Sequence, residues 1–142
     1  YKRFYKLKSV INMNKTILIS GSLLGLTGIV LGAFAAHGLK ELISPESVQT
    51  FETGVRYQMY HALFLLFIGS TAFVSTKAKK QIFYLVMIGL LFFSGSIYGL
   101  ATNLLTNFDF KSIAFITPIG GLCLIISWVL LFMNFIKIKV EN

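Results

Sequence analysis

ILISGSLLGLTGIVLGAFAA, residues Ile17–Ala36, is a run of twenty residues without one charged side chain. A helix that crosses a bilayer needs roughly 20 mostly apolar residues, because in hydrocarbon only a helix or a closed barrel satisfies its own backbone. Three further stretches have similar length and character: Tyr57–Val74, Ile82–Thr102 and Ile113–Ile136. The chain therefore reads as an all-α integral membrane four-helix bundle. Gly21, Gly25, Gly28, Gly32 and Ala36 recur at steps of three and four along the first span. They share one helix face, and a face without side chains lets a second helix come close.

Composition agrees. Of 142 residues, 56% are hydrophobic and 13% are charged, about half the charged share of an ordinary soluble domain. The net charge of +8 does not point to nucleic acid, because the basic residues stand at the ends of apolar runs. Lys2, Arg3, Lys6, Lys8, Lys15, Lys77, Lys79, Lys80, Lys137 and Lys139 fall on one side. Lys40, Arg56 and Lys111 fall on the other, beside Glu41, Glu46, Glu52 and Asp109. Positive residues favour the cytoplasm, so both termini are expected there. Residues 1–12 are read as sequence upstream of the start at Met13, with a basic arm on anionic lipid as the alternative. Residues 13–142 then form a single four-span domain. The first span is expected to be retained, since its apolar run exceeds the ~7–15 residues of a signal-peptide core.

Ser44-Pro45-Glu46 is a helix-start signal: a capping hydroxyl, a proline fit for the first turn, and an acid at the positive end. It predicts a short amphipathic helix over 45–55 on the outer surface, bending near Gly54 into span two, with Glu52 and Arg56 paired one turn apart. Pro118 is expected to kink span four and free a carbonyl near Ala114. Tyr57, Tyr60 and Tyr98 suit an aromatic belt.

Polar residues gather toward the outer third of the spans: His37, Glu52, Arg56, Tyr57, Gln58, His61, Ser94 and Tyr98, with Ser96, Asn103 and Thr117 nearby. Such groups at membrane depth suggest a site by default. His61 stands about five residues, or roughly 7 Å, inside its span. His37 and His61 can face each other in a compact bundle, and Tyr57 can bond or shield His61. Three readings remain open for the histidines: ties between helices, a metal or haem site, or a small-molecule, lipid-headgroup or proton site with Arg56 and Glu52. Neither a GxSxG motif nor a P-loop is present, no HxxxH or CxxC motif occurs, and no catalytic residue, metal or cofactor is assigned.

Four blocks carry a resemblance: Gly32–Leu39 (GAFAAHGL), Phe51–Leu63 (FETGVRYQMYHAL), Phe93–Tyr98 (FSGSIY), and Ile116–Gly121 (ITPIGG) followed by Ser127-Trp128. Together they resemble the small bacterial membrane proteins of domain of unknown function 423, which is similar to the animal mitochondrial transmembrane protein 256 group. The resemblance implies four spans and an inner-membrane location, and it stresses His37, Glu52, Arg56, Tyr57, Gln58 and His61. It supplies no activity. The sequence alone therefore leaves a non-enzymatic accessory or assembly subunit as the first expectation, self-associating or docking through its glycine faces. A ligand-, lipid- or ion-binding protein is the alternative, and a metal or haem protein the third.

Overall fold

The computed structural model describes residues 2–138, with backbone alone for 2–7 and 9. Lys139 and the side chains of Lys2, Arg3 and Lys6, counted above at the basic end, lie outside the described residues. Five α-helices follow in order: α1 (Lys2–His37), α2 (Pro45–Ser70), α3 (Thr76–Phe92), α4 (Ser94–Ala101) and α5 (Ile116–Ile136). Among the described residues the remaining regular elements are short 3-10 turns. Phe93 separates α3 from α4, yet its N–H still donates to Gly89 O (2.8 Å) and its carbonyl accepts from Ile97 N (3.0 Å). α3 and α4 are therefore one rod with a local bend, and the molecule is a bundle of four antiparallel rods.

The glycine stripe of α1 seats α2. A Cβ on Gly21 would lie 3.0 Å from Ala62 O, one on Gly25 3.8 Å from Ala62 Cβ, and one on Gly32 3.5 Å from Val55. The contacts descend α2 as they ascend α1, which defines an antiparallel pair. This close approach uses the stripe within the chain. α3 packs along α5, and α4 along the first half of α2. Ile17, Leu65, Ile68, Ile82, Val86 and Leu124 form the main core, and Ala35, Leu39, Phe51 and Ala101 a smaller one at the other end.

The outside is apolar. Leu26, Ile29, Leu91, Ile125 and Phe132 are each more than 60% exposed. Continuous apolar surface of this kind does not face water in a monomeric soluble protein. Three helical stretches are long and apolar enough to cross a membrane: Val10–Glu41, Thr76–Ala101 and Ile116–Ile136, with mean hydropathies of 2.1, 1.9 and 2.3. α2 has 26 residues and is long enough, but Arg56, Gln58 and His61 dilute it. Gln58 and His61 are accommodated by position, because the buried face of α2 meets α1, α3 and α4, with Trp128 of α5 against His61. Arg56 is exposed at the acidic end. Charge divides along the bundle. Lys15, Lys77, Lys79, Lys80 and Lys137 stand at one end, and Glu41, Glu46, Glu52 and Asp109 at the other.

Three local expectations need correction. No separate surface helix over 45–55 exists: α2 runs unbroken through Gly54 to Ser70. Its start is as predicted, with Ser44 Oγ accepting from Ser47 N (3.2 Å), but Phe51 turns into the bundle against Tyr98 (ring centroids 4.6 Å) instead of lying on lipid. Span two ends at Ser70 rather than Val74, and α5 begins at Ile116 rather than 113. Pro118 consequently occupies the first turn of α5, where an N–H has no helical partner to lose, and it produces no kink. The Ala114 carbonyl accepts from Thr117 N (3.2 Å).

Candidate functional site

The buried residues of α2 include Gly54, Gln58, His61, Leu65 and Ile68, which recur every three or four positions. That stripe carries two polar side chains into the bundle. Gln58 lies between three helices. Its Nε2 donates to Leu24 O and to Thr27 Oγ1 of α1, each at 2.9 Å. Its Oε1 accepts from the Tyr98 hydroxyl of α4 at 2.8 Å. One carboxamide thus ties α2 to both neighbours, using both N–H groups and the carbonyl.

Ser94 adds a second tie by donating to Gly54 O at 2.9 Å. The absence of a side chain on Gly54 makes this possible, since a Cβ there would meet the Tyr98 ring at 2.6 Å. Ser96 and Thr117 share a hydrogen bond of 2.6 Å that joins α4 to α5.

His61 is 4% exposed and faces α5. Its Nδ1 lies 2.8 Å from Tyr57 O, and Trp128 Nε1 donates to its Nε2 at 3.3 Å. An indole N–H only donates and a carbonyl only accepts, so the imidazole holds its proton on Nδ1 and is neutral. Both nitrogens are engaged, which leaves no lone pair free for a ligand in this arrangement. Phe64 stacks on Trp128 at 4.3 Å.

The predicted residues therefore separate into two groups. Gln58, His61, Ser94 and Tyr98 enter the bundle. His37, Glu52 and Arg56 are exposed at the acidic end. Level with Met59, Gly28 sets the register of α1 on α2. From it, His37 stands about 16 Å along the axis from His61. The two histidines are not brought together. Arg56 donates to Thr53 Oγ1 (2.9 Å) in place of the expected pair with Glu52. Glu46, outside the apolar spans, is held below the usual carboxyl range by its backbone N–H and by the Ser44 hydroxyl. Tyr57 offers His61 its carbonyl, not its hydroxyl, and its half-exposed ring borders a groove.

That groove, of about 480 Å³, opens between α2, the α3–α4 bend and α5. Tyr57, His61, Phe93, Leu124, Ile125 and Trp128 line it. Its walls are apolar except for His61 and the indole, and it opens on the lipid-facing side.

Sequence reasoning missed two partners and one site. Trp128 entered only as part of a block that carries the resemblance. Thr27 was not singled out on α1. Lys79 was counted as a topology signal, yet it is only 4% exposed. Its ammonium donates to Asn14 Oδ1 (3.0 Å) and Thr71 O (2.6 Å). Among the described residues, no group of three or more His, Cys, Asp or Glu side chains comes together.

An apolar exterior with a hydrogen-bonded interior defines an integral membrane helical bundle. The chain belongs to the family described as "Protein of unknown function (DUF423)", whose model matches residues 31–121. It is similar to the UPF0382 membrane protein SSP2132 of Staphylococcus saprophyticus, with 36% identity over 124 residues, covering 87% of this chain and 99% of the relative. It is also similar to the UPF0382 membrane protein YwdK of Bacillus subtilis, 35% identical over 128 residues and covering 87% and 98% of the two chains. A UPF0382 membrane protein of Haemophilus influenzae is 35% identical over 128 residues, with 89% and 98% covered. No solved structure matches.

Proposed function

We propose that this chain is a four-span protein of the bacterial plasma membrane, with both termini cytoplasmic, serving without catalysis as an accessory or assembly subunit of a larger membrane complex. One observation carries the reading. The buried polar side chains are spent on hydrogen bonds within the chain, several of them between helices, and the groove beside Trp128 is mostly apolar and open on the lipid-facing side. No buried side-chain nitrogen or oxygen among the described residues is without a partner. A rigid bundle with an aromatic-lined notch suits the side chains of a neighbouring helix, since packing drives association in lipid. The ligand-site alternative required His37, Arg56 and His61 to converge on one cavity, and that premise has no support in the geometry above. The glycine stripe of α1 is covered by α2, so docking is assigned to the α2–α5 groove instead.

Two measurements test this. In a Cys123→Ser background, Asn107→Cys is expected to react with an impermeant maleimide on intact cells, and Lys77→Cys only after permeabilisation. The reverse pattern overturns the orientation. A photo-crosslinking residue at Ile125 should give discrete heavier adducts, while one at Leu26 on the outer face of α1 should not. Lipid adducts alone at Ile125, with only monomer after mild extraction, would end the accessory-subunit reading.

A further inference from the structure

The end of the bundle opposite the acidic residues holds a buried lysine with no carboxylate beside it among the described residues. Lys79 lies in the first turn of α3 and is nine-tenths buried, and both its hydrogen-bond partners are neutral oxygens, Asn14 Oδ1 and Thr71 O. An ammonium has three N–H donors, so two described partners leave one over. Its charge has no carboxylate partner among the described residues; the carbonyl end of α2, whose C-cap is Thr71, offers a partial negative charge alone. The four described carboxylates, Glu41, Glu46, Glu52 and Asp109, all belong to the far end, and the remaining acid of the sequence, Glu141, lies outside the described residues. A buried charge demands an opposite charge or strong hydrogen bonds.

The surroundings are built for an anion. A cavity of about 370 Å³ borders Lys79, lined among others by Asn14, Ser70, Thr71, Ser75 and Thr76. These supply hydroxyl and amide groups, and Val10, Ala72 and Val74 complete the wall. Ser75 is the N-cap of α3, so the cavity meets a helix start, where free N–H groups and the helix dipole favour negative charge. Asn134 fixes this corner by accepting from Ser75 N (3.2 Å). Lys8, Lys15, Lys77, Lys80 and Lys137 are exposed at the same end and raise the local concentration of anions.

We propose that this cavity binds a phosphate group, with Lys79 as its charge partner and Thr76 as a hydroxyl donor. At membrane-interface depth the phosphate comes either from an anionic phospholipid headgroup or from free phosphate in the adjoining water. The site is separate from the α2–α5 groove and does not depend on the accessory-subunit reading.

The test uses the full chain in nanodiscs of phosphatidylcholine alone or mixed with phosphatidylglycerol, with and without inorganic phosphate. Phosphatidylglycerol is expected to raise the Tm of the wild type and to stay bound in native mass spectrometry. Lys79→Gln should weaken that retention by about tenfold or more, the worth of one charge-assisted hydrogen bond. Lys79→Arg should restore much of it, and Lys80→Gln, which alters an exposed neighbour, should leave it within about twofold. Stabilisation by inorganic phosphate in both disc types would identify the free anion as the source. If Lys79→Gln fails to fold, the wild-type Tm decides: no response to either phosphate source overturns the proposal. So does loss of binding in Lys80→Gln equal to that in Lys79→Gln, which would mean diffuse attraction by surface lysines. A Glu141→Gln variant that destabilises the protein in both disc types, with no lipid retained by the wild type, would name Glu141 as the counter-charge and overturn it too.

Discussion

Gly120→Ala is expected to destabilise the bundle by about 3 kcal/mol or more, at the upper end of what overpacking costs. An alanine Cβ at this position would sit 2.7 Å from the Phe92 carbonyl carbon and 2.8 Å from Gly89 O, with Phe93 N nearer still. All three atoms are backbone, so no rotamer change relieves the clash, and α5 must move off the α3–α4 bend. The opposing residue is also glycine: a Cβ on Gly89 would meet Leu124 Cδ2 at 2.6 Å and Gly120 O at 3.2 Å. The two rods cross where neither has a side chain. Trp128, the one tryptophan of the sequence, stacks on Phe64 farther along α5 and reports the displacement by fluorescence in a detergent-unfolding titration. Two controls isolate the cause. A Cβ on Gly121 meets only the Phe93 ring at 3.5 Å, ordinary contact, and one on Gly95 only Leu90 O at 3.9 Å. Gly95→Ala should be neutral or stabilising by up to about 1 kcal/mol, because alanine loses less entropy in a helix. Wild-type stability in Gly120→Ala would contradict the α3–α5 crossing.

The same crossing shows how far the sequence can be read. The helical apolar runs, the close approach along the α1 glycine stripe and the Ser44 cap are local signals that the structure bears out, although the stripe is used within the chain, against α2, and not for docking. Pro118 was legible as a helix constraint, but whether it kinks a helix or opens one depends on where the helix starts. That boundary is set by the 3-10 turn at Phe110–Ile113, which no propensity marks strongly. For the polar residues, neither depth nor azimuth was fully readable. The register of Gly28 on Met59 sets His61 level with the middle of the first apolar run, well below His37, because α2 starts at Pro45, ahead of the Tyr57 expected to open its span. A helix also spreads consecutive residues around its axis. Gln58 and His61 could have been set on the buried stripe from their spacing to Gly54 and Leu65. Lys79 had no such signal: its burial depends on Thr71 across the α2–α3 turn and on Asn14 of α1, 65 residues away in sequence.

Gln58→Leu is expected to cost about 2 kcal/mol. The volume change is small and the packing against Gly28 and Met59 is kept, so the loss is that of the hydrogen bonds. Interhelical hydrogen bonds in membranes average about 0.6 kcal/mol and reach about 1.7, and Gln58 makes three. They are not equivalent. Thr27 retains its own bond to Leu23 O (2.8 Å), and Leu24 O belongs to the helical backbone ladder of α1. The Tyr98 hydroxyl has no other partner among the described residues and is left stranded. Most of the cost therefore resides in the Gln58–Tyr98 pair, and a double-mutant cycle isolates it. Tyr98→Phe alone should cost about 1 kcal/mol. In the Gln58→Leu, Tyr98→Phe double variant the second substitution should cost little, because the hydroxyl it removes has already lost its acceptor. Additive losses would mean that the carboxamide and the phenol act independently, and that the Gln58–Tyr98 bond does not hold α2 to α4. A coupling of about 1 kcal/mol would place the tie between α2 and α4 at Gln58, so that substitutions at the neighbouring exposed Arg56 should leave the fold intact while remaining free to affect whatever the acidic end contacts.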